Sequence, residues 1–398
     1  MIKRMSRYLG MFGLVLITVI VVAWLTSSDP KLNQASFEKT PLVEGLAPFE
    51  HATTLAQFID EDGRTVTVQV IDYSGETITG IDLAELGGSP NDNPLLAFAS
   101  ISTVQLNAAN VDDFPAIKVE ISDLLPSGTL GSSHLGTGTN FPEHAEEAGS
   151  QSVFNFPKFG KATAARTEVA AKPGVLLDYE VELCIRFDRD IETVMDFDTA
   201  VKGLFLCGDF TNRNALVELV DPDNLDSGHG FSDSKSGPDF FPTGPYIVVP
   251  KDLASFVSNL RMTTSVNQLA RQDARGGEMI LDFRQLAEKS LADMSEQRFL
   301  FADEFHYLAP YKRIDSNMTL MSGTAEGVIF TPPTRRDLIE GVVHYLAAGG
   351  PLSNNTLIES VKQTFISNEL NSGHYLQPGD VVEYHSSYLG NINIRVTE

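Results

Sequence analysis

The chain has 398 residues, which is enough for one large or two moderate folded domains. Its 29 basic and 53 acidic residues give a formal net charge of −24. This charge argues against nucleic acid and anionic lipid surfaces as partners, because both are bound through basic patches. A hydrophobic content of 42% is typical of a globular protein.

The N-terminus combines three cations with an apolar run. Lys3, Arg4 and Arg7 precede a stretch from Leu9 to Leu25 that contains no charge. Cations before such a run are typical of a cytoplasmic flank, and the run is at the short edge of the ~20 residues that a spanning helix needs. We predict an uncleaved signal anchor, a transmembrane helix, over residues 1–26. Cleavage near residues 26–28 and a buried core helix are the alternatives.

The segments after the apolar run predict a tether and a small domain. Residues 27–40 are polar and contain a helix-breaking proline, so they are interpreted as a linker. The folded part would then lie on the non-cytoplasmic, periplasmic side of the membrane. Residues 41–125 are interpreted as a small N-terminal domain. In it, residues 64–73 and 77–81 alternate like strands joined by a hairpin turn, and residues 117–121 predict another strand.

A pair of glutamates marks the centre of residues 126–398, the predicted catalytic domain. Residues 178–185 alternate like a strand, which places Glu180 and Glu182 on one face. Asp209 ends a second apolar strand. Three carboxylates from two strands form a hard oxygen site, suited to Mg²⁺, Mn²⁺ or Ca²⁺ rather than zinc. The alternative is a half-exposed strand with solvated glutamates.

A histidine and a glutamate lie three residues apart upstream of this pair. Pro142 opens a short helix in which His144 and Glu147 are neighbours on one face. A carboxylate that holds one imidazole nitrogen leaves the other free to take a proton from water. An exposed histidine with an ordinary helical partner is the alternative.

The chain contains two cysteines, and both lie in apolar strand segments. Cys184 and Cys207 lack the spacing of a zinc or redox motif. Two buried thiols are the favoured interpretation. A disulfide in an oxidising compartment is the alternative.

The later segments predict further helices and strands. Residues 251–261, 278–291 and 337–346 are predicted helices, the second with an apolar face that suits core packing. Residues 247–249 and 389–396 are predicted strands. No nucleotide-binding, zinc-protease or serine-nucleophile motif accompanies them.

Five segments, taken in order, resemble the fumarylacetoacetate hydrolase family. The carboxylates Glu180, Glu182 and Asp209 resemble its metal triad. The other matching segments are G-T-N-F-P-E-H-A-E-E at 138–147, K-S-G-P-D-F-F-P-T-G-P at 235–245, S-G-T-A-E-G-V at 322–328 and L-Q-P-G-D-V-V at 376–382. Together they cover about residues 130–398.

The resemblance implies a fold and a set of site residues. The implied fold is α+β and β-rich, with a coiled β-roll catalytic domain behind the smaller domain, and a homodimer is expected. Lys235 would hold a substrate carboxylate or an oxyanion, and Arg213 would contact substrate. Thr324 would either reach a substrate oxygen or cap its turn. Mg²⁺ is the expected cofactor, with Mn²⁺ and Ca²⁺ as alternatives.

The function that follows is a metal-dependent hydrolase of C–C bonds in a small dicarbonyl acid, such as an acylpyruvate. His144, oriented by Glu147, would activate water. An oxo-acid decarboxylase, a tautomerase or a sugar-acid dehydratase of the same family is the alternative. A membrane-anchored binding protein without turnover is an alternative of another class, favoured by Asn214 where many relatives carry Asp. Gln268 also departs from the family, because a turn glycine is expected there.

Overall fold

A computed structural model describes residues 2–27, 36–101, 110–150, 152–221, 224–352 and 354–398. The chain divides into two compact units. The first comprises residues 1–33 and 329–375, and the second comprises residues 34–328 and 376–398. The predicted linker at 27–40 lies mostly outside the described residues, and residues 41–125 fall within the second unit.

The second unit is built mainly from strands. Its strands are β1 Ala52–Ile59, β2 Thr65–Ser74, β3 Thr77–Asp82, β4 Ile117–Glu120, β5 Ser133–Gly138, β6 Phe154–Phe159, β7 Arg166–Ala170, β8 Leu177–Asp178, β9 Val181–Phe187, β10 Lys202–Gly208, β11 Thr211–Asn212, β12 Ile247–Pro250, β13 Arg261–Val266, β14 Leu269–Arg275, β15 Phe299–Phe301, β16 Glu304–His306, β17 Leu320–Met321, β18 Val381–Ser386 and β19 Asn391–Thr397. Short helices connect them: α2 Pro94–Ala99, α3 Pro142–Glu147, α4 Val194–Thr199, α5 Arg213–Leu219, α6 Phe231–Lys235, α7 Leu253–Asn259 and α8 Phe283–Ala292. The prediction of a β-rich α+β fold is confirmed.

Two large sheets organise this unit. The ten-stranded sheet has the order β4-β3-β2-β1-β12-β10-β9-β17-β5-β6, and the five-stranded sheet has the order β14-β13-β18-β19-β7. Most neighbours are antiparallel, whereas β17 pairs with β5 and β19 pairs with β7 in parallel. The N-terminal strands β1–β4 share the larger sheet with β9 and β10, which lie at its centre and are buried on both faces.

Several local predictions are confirmed, with boundaries set by capping residues. The hairpin at 74–76 joins β2 to β3. Helix α8 begins at Phe283 rather than at residue 278, because the Asp282 side chain caps it and accepts from the Gln285 N–H. The turn between β13 and β14 forms without glycine, since Asn267 and Gln268 adopt φ values of 51° and 67°.

The first unit is helical. It contains α1 Ile2–Leu25, α9 Arg335–Ala347 and α10 Leu357–Ser372. Helices α9 and α10 approach closely at Gly341, where a Cβ atom would lie 2.7 Å from Val361. The Trp24 indole at the end of α1 donates to Glu340 Oε1 of α9 at 2.8 Å. Helix α10 is not among the sequence predictions.

The predicted membrane anchor is wrong. Helix α1 forms, but no helix among the residues that the structure describes is long and apolar enough to cross a membrane. The uncharged run from Leu9 to Leu25 is only at the short edge of the ~20 apolar residues that a span needs, and Trp24 at its end has a polar partner within the unit. The membrane contact and the non-cytoplasmic placement rested on this anchor and are withdrawn.

Candidate metal centre

Strands β9 and β10 bring the three predicted carboxylates together. Seven cross-strand pairs hold the two strands in register. Glu180 immediately precedes β9 and Asp209 immediately follows β10, and the Asp209 N–H donates to the Glu180 carbonyl at 2.9 Å. Glu182 lies within β9. Ligand oxygens of the three side chains lie within 4.8 Å of one another, and all three residues are buried.

Three cationic side chains surround two of these carboxylates. Lys235 Nζ donates to Glu180 Oε2 at 2.6 Å, to Asp209 Oδ2 at 2.8 Å and to the Thr211 hydroxyl at 2.9 Å. Lys158 Nζ donates to Asp209 Oδ1 at 2.6 Å. Arg213 donates to Glu180 Oε1 at 2.8 Å. The ammonium group of Lys235 therefore uses all three of its hydrogens on protein acceptors.

Arg213 also binds a fourth carboxylate. Its Nε donates to Asp178 Oδ2 at 2.8 Å, so the guanidinium bridges Asp178 and Glu180. Burial alone would raise the pKa of Glu180, but Lys235, Arg213 and His144 lower it to about 2. Glu180 is therefore ionised across the physiological range.

Glu182 differs from the other two carboxylates of the triad. Its Oε2 accepts from the Gly323 N–H at 2.8 Å, and no basic side chain of the described residues forms an ion pair with it. Burial, together with the charges of Asp209 and Glu180, raises the pKa of Glu182 well above its usual range. Positive charge beside Glu182 would remove this penalty.

The residues fit a divalent cation. Among the residues that the structure describes, four buried carboxylates (Asp178, Glu180, Glu182 and Asp209) face three buried cations (Lys158, Arg213 and Lys235), so the ion pairs of this cluster leave a surplus of one carboxylate. The triad offers only oxygen ligands, which are the donors that Mg²⁺, Mn²⁺ and Ca²⁺ prefer. The excess charge lies at Glu182, the carboxylate that lacks an ion pair.

Helix α3 places the predicted histidine and glutamate as expected. His144 Nδ1 lies 3.1 Å from Glu147 Oε2. The other oxygen of Glu147 accepts from the Gly327 N–H at 3.0 Å, which ties α3 to the glycine-rich turn at 322–328. Both side chains are mostly buried, with exposures of 12% and 16%. Because Glu147 accepts the Nδ1 proton, Nε2 is left as the basic nitrogen.

Comparison with known proteins identifies the family. Residues 133–397 match the family model described as fumarylacetoacetate (FAA) hydrolase, C-terminal. The chain belongs to the fumarylacetoacetate hydrolase family. The prediction made from the five segments is confirmed.

Two uncharacterized staphylococcal proteins are similar in sequence to part of the chain. The chain is 31% identical over 190 residues to an uncharacterized protein of Staphylococcus epidermidis and 32% identical over 185 residues to one of Staphylococcus aureus. The matched regions cover 45% and 43% of this chain, and the chain spans 58% and 57% of those relatives' lengths.

Solved structures share the fold at low identity. A crystal structure from Mycobacterium smegmatis titled a putative HpcE protein has a TM-score of 0.53 at 18% identity, covering 87% of this chain and 100% of that one. A 5-carboxymethyl-2-hydroxymuconate delta-isomerase from the same organism has a TM-score of 0.50 at 17% identity, covering 86% and 99%. The β-rich architecture is consistent with a fumarylacetoacetate hydrolase-type fold.

The family's S-G-T turn aims Glu182 in this structure. Gly323, with φ of 80°, presents its N–H to Glu182, and a Cβ atom there would lie 3.1 Å from the Thr137 carbonyl. The Thr324 hydroxyl donates to the Val181 carbonyl and accepts from Gln272. Thr324 is thus engaged by protein groups, and its contact with substrate stays a prediction.

Asn214, the departure that favoured a binding protein, lies outside the carboxylate cluster. Its side-chain oxygen accepts from the Leu176 N–H at 2.7 Å, and its amide donates to the Gly174 carbonyl at 2.9 Å. Asn214 therefore holds the loop before β8. The presence of asparagine at position 214 therefore favours neither an enzyme nor a binding protein.

The preference for two free thiols is wrong. Cys184 and Cys207 form a disulfide with a Cα–Cα distance of 6.0 Å. Cys184 follows Glu182 by two residues on β9, and Cys207 precedes Asp209 by two residues at the end of β10. Because side chains repeat every second residue, the disulfide links the two metal-site strands directly behind the triad.

Sequence reasoning missed Lys158 and Asp178 as members of the cluster. Lys158 is fully buried in β6, where the other side chains are mostly apolar. A lysine inside a buried apolar strand needs a carboxylate partner, because an unpaired buried ammonium is costly. That requirement is the signal that would have connected Lys158 to the acidic triad.

Proposed function

We propose that the protein is a metal-dependent hydrolase that cleaves a C–C bond in a small dicarbonyl acid. The observation that carries the proposal is the His144–Glu147 pair beside the acidic triad. Its Nδ1 lies 3.1 Å from Glu147 Oε2, and a positive charge on the imidazole would help to lower the pKa of Glu180, which supports a role for His144 near the triad. A general base near a cation-binding site is what hydrolysis of a carbonyl compound requires.

The metal would supply one part of the chemistry. A divalent cation held by Glu180, Glu182 and Asp209 would polarise a substrate carbonyl and stabilise negative charge on the oxygen of an enolate. Mg²⁺ is the cation we propose.

His144 would supply the proton transfers. Its Nε2 would take a proton from a water molecule as the water oxygen adds to the acyl carbonyl. When the C–C bond breaks, the electron pair stays with the departing enolate fragment. His144 would then return the proton to that fragment, which leaves a carboxylic acid and a keto acid. Glu147 would hold Nδ1 and balance the imidazolium charge.

Lys235 would bind the substrate carboxylate by exchanging one of its protein acceptors. Two of the three acceptors are the carboxylates of Glu180 and Asp209, and the third is the neutral Thr211 hydroxyl. A hydrogen bond to a charged group is worth more than one to a hydroxyl, so Thr211 is the partner that we expect to be replaced. Arg213 would act through Glu180, which it holds, rather than by direct contact.

An isomerase, decarboxylase or related enolate enzyme is the second candidate. It needs the triad and Lys235 but no attack by water, and one solved structure with this fold is titled as an isomerase. The discriminating group is His144. A hydrolase or an isomerase loses turnover without it, because each must move a proton, whereas a decarboxylase, which only stabilises an enolate, retains part of its rate.

The test measures the rate of turnover and whether oxygen from the solvent enters the product. The full-length protein would be assayed with Mg²⁺ or with EDTA on acylpyruvates, oxaloacetate, sugar acids and 5-carboxymethyl-2-hydroxymuconate, in water enriched in ¹⁸O. Hydrolysis places one solvent oxygen in the new carboxylate, decarboxylation releases CO₂, and isomerisation does neither. We expect hydrolysis of an acylpyruvate that stops with EDTA.

Matched variants assign the activity to the site. Glu182→Gln and His144→Asn should abolish hydrolysis, whereas Glu85→Gln and His51→Asn change exposed residues and should preserve it. Product without solvent oxygen would replace the hydrolase with the second candidate. Binding of Mg²⁺ without turnover of any substrate would support a non-catalytic binding protein and would contradict the enzyme proposal.

A further inference from the structure

Arg186 is a buried arginine on the same face of β9 as Glu182 and the disulfide. Its exposure is 4%. The guanidinium Nη1 donates to the Ser127 and Gly128 carbonyls, both at 2.9 Å. Its Nε is buried without a hydrogen-bond partner, and no carboxylate oxygen of the described residues lies within 4.0 Å of the guanidinium. Nη2 makes no hydrogen bond to the described residues either, but unlike Nε it is not fully buried.

Other arginines of this chain show what the Nε–Nη2 edge normally binds. Arg261 uses that edge to hold both oxygens of Asp273 at 2.6 Å. Arg166 holds Glu76 and Arg284 holds Asp198 in the same two-bond arrangement. Such paired hydrogen bonds match the geometry of a carboxylate. The same edge of Arg186 has no carboxylate partner among the described residues.

A cavity lies beside this guanidinium. Arg186 lines a space of about 160 Å³ together with the apolar side chains of Leu125, Leu130 and Ala162. Because a water molecule occupies ~30 Å³, the space corresponds to about five water volumes. A molecule of about four to six non-hydrogen atoms would fill it. The polar side chains of Gln57, Thr65 and Thr129 also line the space. A mixed lining of apolar and polar side chains with a cation suits an anion with a short hydrocarbon body better than inorganic phosphate.

We propose that this cavity is a binding site for a short-chain monocarboxylate, such as propionate, held by the guanidinium of Arg186. The apolar walls would take the hydrocarbon part. On this face of β9, Cys184 lies between Glu182 and Arg186, and it belongs to a buried apolar cluster with Phe205, Phe241 and Met321. The site is therefore separate from the candidate metal centre and does not depend on its function.

The charged residues around the cavity favour a ligand with one negative charge. Lys161 and Asp92 also line it, and their opposite charges balance. Arg186 is then the uncompensated charge. Burial lowers the pKa of Arg186 to about 10, because no carboxylate offsets the loss of water. The group remains protonated at neutral pH, and a bound carboxylate would supply the missing counter-charge.

Calorimetric titration of the full-length protein with propionate tests the site, with EDTA present and ionic strength held constant with NaCl. We expect saturable binding of one propionate per chain. Propionamide, which has nearly the same shape without the charge, and phosphate should bind at least about tenfold more weakly, since a hydrogen bond to a charged group is worth more than a neutral one. Equal binding of propionate and propionamide would refute the proposal.

A variant pair assigns the binding to Arg186. Arg186→Met should weaken propionate binding at least about tenfold, whereas Arg189→Met, at a half-exposed arginine close by in sequence, should leave it unchanged. If Arg186→Met does not fold, a crystal of the wild-type protein soaked with bromopropionate gives the position directly. Bromine density in the cavity supports the site. Density only elsewhere, or no binding, means that Arg186 serves only to hold the Ser127 and Gly128 carbonyls.

Discussion

Removal of the Cys184–Cys207 disulfide should destabilise the fold without disturbing the metal site. The bond closes a loop with a sequence separation of 23 residues. The loss of chain entropy in the unfolded state for such a loop corresponds to about 3 kcal/mol at 25 °C. We therefore expect the free energy of unfolding of the reduced protein to be lower by about 3 kcal/mol.

The affinity for Mg²⁺ should change much less than the stability. Seven cross-strand pairs hold β9 and β10 in register independently of the disulfide, and the Asp209 N–H to Glu180 carbonyl bond fixes the end of the pair. The ligand oxygens should stay close to their positions. We expect the Mg²⁺ dissociation constant to remain within about threefold, which is about 0.65 kcal/mol.

The assay compares one sequence in two redox states. Wild-type protein is unfolded in urea, refolded with or without a reductant, and its unfolding is followed by circular dichroism, while Mg²⁺ binding is measured by calorimetry. The Cys184→Ala/Cys207→Ala variant, which cannot form the bond, should behave like the reduced protein. Equal stability of the two states would refute the loop-entropy argument. A large loss of Mg²⁺ binding would show that the disulfide, not the strand ladder, sets the ligand spacing.

Three further predictions concern buried polar groups and one turn. Burial and the charge of Lys158 lower the pKa of His134 to about 4 from an ordinary 6.5, so the unfolded chain binds the proton first as pH falls. The free energy of unfolding, measured in urea, should therefore fall by about 2 kcal/mol between pH 7 and pH 5. His134→Gln should make this free energy less dependent on pH. Lys158→Met leaves Asp209 with one cation fewer and should lower the free energy of unfolding by about 3–5 kcal/mol in thermal or urea unfolding, and Mg²⁺ should restore part of this stability. Unchanged stability would mean that Asp209 needs no second cation. Gly323→Ala should cost about 1–3 kcal/mol because of its positive φ, and it should weaken Mg²⁺ binding by moving the N–H that holds Glu182; unchanged binding would contradict that role.

The carboxylate triad was predictable because its signal is local. The spacing of Glu180 and Glu182 fixes their common direction once the segment is a strand, and Asp209 ends the next strand. The hairpin at 74–76 and the start of α3 at Pro142 likewise depend on a few adjacent residues. Such features follow from backbone geometry, which a short stretch of sequence determines.

The errors concern features that depend on distant partners. The apolar run from Leu9 to Leu25 was interpreted by its composition, whereas Trp24 has its partner Glu340 more than 300 residues away. Helix α10 was missed because its apolar residues do not follow one clear face. Its start was readable, since Thr356 and Glu359 form a capping box at its N-terminus.

On one face of β9, the direction of the side chains follows from the local sequence, whereas the groups that balance their charges come from distant parts of the chain. Glu180, Glu182, Cys184 and Arg186 alternate on one side, so the alternation that predicts the candidate metal ligands also places Arg186 on the same face. The alternation does not say what balances each charge. Lys235 and Arg213, which belong to two helices, neutralise Glu180. A metal would neutralise Glu182, and the disulfide lies between Glu182 and Arg186 on this face. Among the described residues, Arg186 at the far end of this row has no carboxylate partner and donates only to the Ser127 and Gly128 carbonyls. A buried charge without an opposite charge is costly, so a bound anion is the arrangement that we propose for it.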